Sequence, residues 1–199
     1  MVKSSKTVGV LALQGDVREH ALMLSEVSNS VKLVKSSDDL VELDGLVIPG
    51  GESTTISMLI NRANLMEPLR AFIKSGKGVY GSCAGMILLA DRILDGRNDQ
   101  ESIGGLDITV KRNAFGRQVD SFEKTINLDK IGINNFNAVF IRAPWVEKVG
   151  SGVEVLASIE YQAQDPRIVM VKQGKLLATS FHPELTGDNR VHQYFVSLL

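Results

Sequence analysis

The chain has 199 residues, enough to bury a real core as one α/β domain, with 44% hydrophobic and 23% charged residues, the ordinary balance of a soluble globular protein. A net charge of −1 gives no electrostatic case for nucleic acid or an anionic membrane as partner, and no apolar run approaches the roughly 18 residues of a membrane helix. One cysteine cannot form an internal disulfide, which fits a reducing compartment, and the apolar run after the basic start "MVKSSK" is too short for a signal-peptide core, so a cytoplasmic location is expected.

In chain order, "TVGVLAL" (7–13) reads as a buried strand closed by "QGD" (14–16). "VREHALMLSEV" (17–27) sets Val17, Ala21, Leu24 and Val27 near one helical face. "VKLVK" (31–35) and "GLVIPGG" (45–51) are strands, the second halted by Pro49 and two glycines. "STTISMLINRA" and "MEPLRAFIKSG" are helices, the latter ending at Gly76 in C-cap style. "GVYGS" (78–82) is a strand that runs straight into a helix, "AGMILLADRIL" (84–94). Such alternation predicts a mostly parallel sheet covered on both faces. The second half is strand-rich: "LDITVKR", "DSFEKTINL", "NAVFIRA", "VEVLASIEY", and a hairpin over 167–181 turning at Gln173–Gly174. A helix, "NRVHQYFVSLL", closes the chain with Asp188 or Asn189 as N-cap. "DGRNDQESIGG" (95–105) reads as a surface loop without a role. No linker, repeat or low-complexity tract divides the chain.

The sole cysteine, Cys83, stands in "GSCAG" between that strand and helix, flanked by Gly81, Ser82, Ala84 and Gly85. An ordinary free cysteine is a small buried hydrophobe. A strand–Gly-x-Cys-x-Gly–helix turn is also the cysteine form of a nucleophile elbow, whose crowding demands small neighbours. There the helix N-terminus favours thiolate over thiol, and the Ala84 amide would point toward an oxyanion on the substrate carbonyl.

A thiolate needs a base. His20 and His192 lie within the first and last helices, where a surface or packing histidine is the default. His182, in "ATSFHPEL", follows a strand end, where functional residues of open α/β sheets gather. Pro183 separates it from Glu184, and in an extended segment residues two apart point to the same side, so Glu184 could orient the imidazole toward Cys83. Taken alone, "HPE" would read as a surface turn. "PGGES" (49–53) is a second glycine-rich strand end; it is no Walker loop, because no Gly-Lys-Ser/Thr follows. It is either a plain turn or a source of backbone N–H groups aimed at an anion.

Together these strings resemble the triad (class I) glutamine amidotransferases. Within them the chain resembles the glutaminase subunits of pyridoxal 5′-phosphate synthases, through "GVLALQGDVREH" (9–20), "PGGESTTI" (49–56), "GSCAGMILLA" (81–90), "RNAFGRQVDSF" (112–122), "FIRAP" (140–144) and "SFHPELTGDNRVHQYF" (180–195). Glutaminases for anthranilate or histidine synthesis share the triad but usually carry Leu where Ala84 stands, and lack "RNAFGRQ" and "FIRAP".

The resemblance implies an α/β, flavodoxin-like three-layer fold with a mostly parallel central sheet and an antiparallel β extension in the C-terminal half. Residues 1–199 would form a single glutamine amidotransferase domain. It implies hydrolysis of L-glutamine to glutamate and ammonia through a Cys83 thioester, with His182 as base and acid and Glu184 orienting it. Gly51, Glu52, Ser53, Arg112, Ile141 and Arg142 would line the glutamine site; guanidinium groups suit the planar α-carboxylate. Gly51, Ala84 and Gln14 would serve the oxyanion site and its activation. The ammonia would pass to a pyridoxal 5′-phosphate synthase subunit in a large hetero-oligomer. No metal or cofactor is expected. Two other readings remain open on the residues: another cysteine hydrolase on the same scaffold, and a dormant regulatory or assembly subunit.

Overall fold

Four short apolar runs become adjacent parallel strands, because a strand buried on both faces needs no polar alternation. The computed structural model describes residues 3–97, 100–115, 121–161 and 165–199. In it β1 (Ser4–Leu11) is flanked by β2 (Ser28–Val34) and β3 (Gly45–Ile48), and β3 pairs in parallel with β4 (Gly78–Ser82). Beyond β4 lies β12 (Leu176–Thr179), also parallel, with Leu176 opposite Val79 and Thr179 opposite Ser82.

From β12 outward the sheet changes direction. Antiparallel pairings join β12 to β11 (Arg167–Gln173), β11 to β9 (Trp145–Val149) and β9 to β6 (Leu106–Lys111). A last parallel strand, β5 (Ala90–Ile93), lies on β6, and β10 (Glu154–Ile159) also pairs with β11. A separate antiparallel pair, β7 (Ser121–Leu128) with β8 (Ile133–Ile141), leans on one face. The expected mostly parallel sheet with an antiparallel C-terminal extension is present.

Helices cover both faces. On one, α1 (Val17–Val27) and α5 (Arg190–Ser197) pack with β7 and β8 in a core containing Leu24, Phe136, Phe140, Phe181 and Phe195. On the other, α2 (Ser53–Arg62), α3 (Met66–Lys74) and α4 (Ala84–Leu89) bury Ile56, Ile60, Leu69 and Met86. The apolar stripe predicted for 17–27 does face inward.

Three expectations need correction. The helix expected over 84–94 ends at Leu89: Ala90 is extended (φ −66°, ψ 137°) and starts β5, which finds open edge groups on β6, while the Asp91 carboxylate accepts the Gly105 N–H at 2.7 Å. Strand β9, behind Pro144, is an element the apolar pattern did not disclose. The hairpin turns one residue later than expected: Gln173 pairs with Leu176, leaving Gly174 (φ +57°) and Lys175 as the loop, a left-handed position suited to glycine.

Candidate active site

Strand β4 delivers Cys83 as the N-cap residue of α4, with φ +47° and ψ −100°. A non-glycine residue held in such a sparsely populated region costs about 1–3 kcal/mol, and the surroundings must impose it. They do so through close packing. The Cys83 N–H donates to the Thr179 carbonyl of β12 at 2.8 Å. A Cβ on Gly81 would lie 2.4 Å from the Gly85 carbonyl carbon, and one on Gly85 would lie 2.2 Å from the Ile48 oxygen. The small residues of "GSCAG" are therefore a steric condition of the turn. Ala84 opens α4, so its N–H has no preceding helical turn to accept it.

His182 follows β12 directly, and its backbone N–H donates to the Val139 carbonyl of β8 at 2.8 Å. A 3₁₀ turn over Pro183–Leu185, rather than an extended segment, brings Glu184 back beside the ring. Glu184 Oε1 lies 2.7 Å from His182 Nδ1, and both side chains are buried. Asp16 Oδ2 lies 3.2 Å from the same nitrogen. Nε2 has no hydrogen-bond partner among the described residues and the Cys83 thiol is a close polar neighbour of the ring. Burial alone would push His182 down; the Asp16 carboxylate, the Cys83 thiol and the Glu184 carboxylate outweigh it and raise the imidazole to about 12. Burial in turn raises Glu184 above the usual carboxylate range, opposed by its bond to His182. Asp16, His182 and Glu184 bring three potential ligand atoms within 4.8 Å of one another, and both carboxylates lie against His182 Nδ1, where they orient the ring.

Cys83, Ala84 and His182 share one cavity of about 380 Å³ with the residues expected at the glutamine and oxyanion sites, Gln14, Gly51, Glu52, Ser53, Arg112, Ile141 and Arg142, while Glu184 stands behind His182 outside its lining. Gln14 Oε1 accepts the Glu52 N–H at 3.0 Å, so it grips the Pro-Gly-Gly loop with its side chain. Glu52 also caps α2 by accepting from the Thr54 and Thr55 N–H groups. The Ile141 carbonyl stands 3.9 Å from Cys83 Sγ. Arg142 has φ +42° and makes no ion pair among the described residues. Arg112 is partly engaged: Nη1 donates to Gln100 Oε1 at 2.5 Å, and Nη2 lies 3.5 Å from Glu52 Oε1.

The contact with Gln100 gives the 95–105 loop a role that the sequence did not reveal. Glu101 pairs with Arg70 at 2.8 Å and its N–H donates to Ser57 Oγ, tying the loop to α2 and α3 and setting Gln100 against Arg112. Residues 98–99 of that loop, and residues 116–120 of "RNAFGRQVDSF", lie outside the described residues. Asp16 was also missed; His20 and His192, read as surface or packing histidines, are both fully buried, the packing alternative, and His20 lies against Glu184. The signal was available for His20: it stands three residues after Val17 and four before Leu24, on the inward stripe of α1.

Comparison with known proteins agrees with this geometry. The profile of the SNO glutamine amidotransferase family matches residues 10–199. The pyridoxal 5′-phosphate synthase subunit PdxT of Streptomyces avermitilis is 56% identical, over 98% of this chain and 95% of that protein. The subunit of the same name from a Parafrankia strain is 58% identical, over 98% and 94%. A crystal structure of a glutamine amidotransferase superposes with a TM-score of 0.88 at 45% identity, covering 96% of this chain and 97% of the other.

Proposed function

The chain belongs to the SNO glutamine amidotransferase family, and from that premise we propose the following division of labour among its residues. The protein hydrolyses glutamine to glutamate and ammonia, and supplies the ammonia to the synthase subunit that makes pyridoxal 5′-phosphate. The observation that carries the residue assignment is the convergence of a strained elbow cysteine and a Glu184-held imidazole on one cavity.

In this scheme the Cys83 thiolate attacks the side-chain amide carbon of glutamine, and the carbonyl oxygen becomes an oxyanion received by the Ala84 N–H and the Gly51 region. His182, protonated at rest, gives its Nε2 proton to the departing nitrogen as the C–N bond breaks, leaving a γ-glutamyl thioester and ammonia. The now neutral ring takes a proton from water, whose oxygen attacks the thioester. Collapse breaks the C–S bond, releases glutamate and restores thiolate and imidazolium. Glu184, with Asp16 beside it, keeps Nδ1–H fixed throughout.

Arg142 and Arg112 would hold the α-carboxylate, whose charge is the same in ground and transition states. Replacing either by Ala is expected to raise KM by about 10–100-fold with little change in kcat, since charge-assisted hydrogen bonds are worth about 1.5–3 kcal/mol. Arg142 should cost more, because Arg112 is already shared with Gln100 and Glu52. Steady-state kinetics separate the parameters, and a kcat loss at constant KM would move these arginines into the chemistry.

Gln14 and Gly15 couple the site to the partner in this reading. Gly15 has φ +100°, and a Cβ there would lie 1.8 Å from the Gly50 oxygen, which accepts the Asp16 N–H at 3.1 Å, so the "LQGD" and "PGGES" loops are in direct backbone contact. Turning one amide of the second loop completes the oxyanion hole, and losing such a donor costs about 10²–10³ in rate. Glutamate release is therefore expected to be weak for the chain alone and to rise by at least about tenfold with the cognate synthase subunit. Absence of glutamate release with the partner present would refute the function. Full activity alone, unchanged by the partner, would refute only the coupling.

We read residues 1–199 as a single amidotransferase domain, supported by two cores that share one sheet. We place the protein in the cytoplasm, supported by its reliance on a free thiol; no described helix is long and apolar enough to cross a membrane. The other two readings, a different cysteine hydrolase and a dormant subunit, gain no supporting observation.

A further inference from the structure

Behind the triad lies a chain of buried polar groups that the mechanism above does not use. His20 on α1 is completely buried. Its Nδ1 is 2.9 Å from His192 Nε2 on α5, and its Nε2 is 2.8 Å from Ser82 Oγ. The same Nε2 lies 3.4 Å from Glu184 Oε2, the carboxylate oxygen that does not touch His182. Three helical turns and the strand before the nucleophile thus meet at one ring. Burying polar groups in this way is costly unless each finds a partner, so the arrangement needs a reason.

The protonation pattern follows from the carboxylate. Burial, reinforced by the neighbouring His192 and His182, holds His20 well below its ordinary value, and burial lowers His192 to about 3 despite Asp188. Both rings are neutral, with one N–H each. Glu184 Oε2 makes no hydrogen bond among the described residues, and His20 Nε2 approaches it at 3.4 Å; a lone pair on Nε2 would set two negative poles against each other there, whereas an Nε2–H turns its positive end toward the carboxylate. With the proton on Nε2, His20 donates to Ser82 Oγ at 2.8 Å, presents the same N–H to Glu184 Oε2 across a 3.4 Å electrostatic contact, and its Nδ1 accepts from His192 Nε2–H. The remaining His192 Nδ1 is an acceptor without a partner among the described residues.

We propose that His20 is a positioning residue for the glutaminase reaction: held by the Ser82 hydroxyl, its Nε2–H turns its positive end to the rear oxygen of Glu184, fixing the base and the nucleophile's strand relative to each other. This rests on the Cys83–His182–Glu184 assignment above. Glutamine does not reach His20, so the effect falls on kcat through the alignment of His182, and KM is unaffected.

The test compares His20→Gln, His20→Asn, Glu184→Ala and the His20→Asn/Glu184→Ala pair, assayed for glutamate release with the cognate synthase subunit. Glutamine's side chain places an N–H near the Nε2 position, whereas asparagine reaches only the Nδ1 position. His20→Gln is expected to keep kcat within about fivefold, and His20→Asn to lose about 10–100-fold at constant KM, the range of couplings within one hydrogen-bonded network. In the Glu184→Ala background His20→Asn should cost less than about threefold, because its route of action is gone; a purely structural role would cost the same in both backgrounds. Unchanged kcat in folded His20→Asn, or an undiminished loss in the double variant, would overturn the proposal while the triad stands. Unchanged kcat in Glu184→Ala would overturn the triad assignment, and this proposal with it. If His20→Asn does not fold, His20→Gln decides: a loss much above fivefold overturns the proposal.

Discussion

Cys83→Ala is expected to reduce glutamate release by at least about 10⁴-fold, measured with the synthase partner present, while the thermal midpoint of unfolding stays near that of the wild type. No other cysteine exists to substitute. The structural cost is small because Ala keeps the Cβ that the elbow already accommodates, and the thiol's contact with the Ile141 carbonyl is a long one, at 3.9 Å. Cys83→Ser should also be severely impaired: a hydroxyl holds its proton far more tightly than a thiol, and the imidazolium beside it cannot remove that proton. Activity above a trace in purified Cys83→Ala would refute the nucleophile.

His182→Ala should cost nearly as much, since nucleophile and proton carrier act as a unit and the second loss adds little to the first. Glu184→Ala is expected to fall less, by about 10–100-fold in kcat, because it changes how the ring is held rather than removing it. The structure explains what would sustain the remainder: Asp16 Oδ2, 3.2 Å from the same Nδ1, can take over as acceptor. The Asp16→Ala/Glu184→Ala pair should then approach the His182→Ala level. Equal loss at His182 and Glu184 alone would show that Asp16 gives no support and that Glu184 does more than orient.

The site was legible where function forces unusual local sequence. Gly81, Gly85 and Cys83 announce a turn that tolerates no larger neighbours, and the structure shows the colliding atoms. "GVYGS" matches β4 residue for residue because a buried central strand is a bare apolar run with small ends. What escaped depends on distant partners. "ILLADRIL" has helical spacing, yet its second half is claimed by the edge of β6. Asp16 and His20 belong to the site only because the sheet brings residues 16–20 against residues 182–184, a proximity that no local pattern encodes. Gln100 is hidden for the same reason, in a loop whose polarity reads as ordinary surface.

The position of β12 between β4 and β11 also sets an order in time. During synthesis β4 and the Cys83 turn emerge early, but one edge of β4 stays unpaired until residues 176–179 are made. The Thr179 carbonyl that fixes the Cys83 amide, then His182 and Glu184, are made long after the thiol, just ahead of α5. A nascent chain therefore carries its thiol through the 99 residues from Cys83 to His182 without the base that would make it a catalyst. Insertion of the central strand closes the sheet and completes the triad in the same late, long-range step.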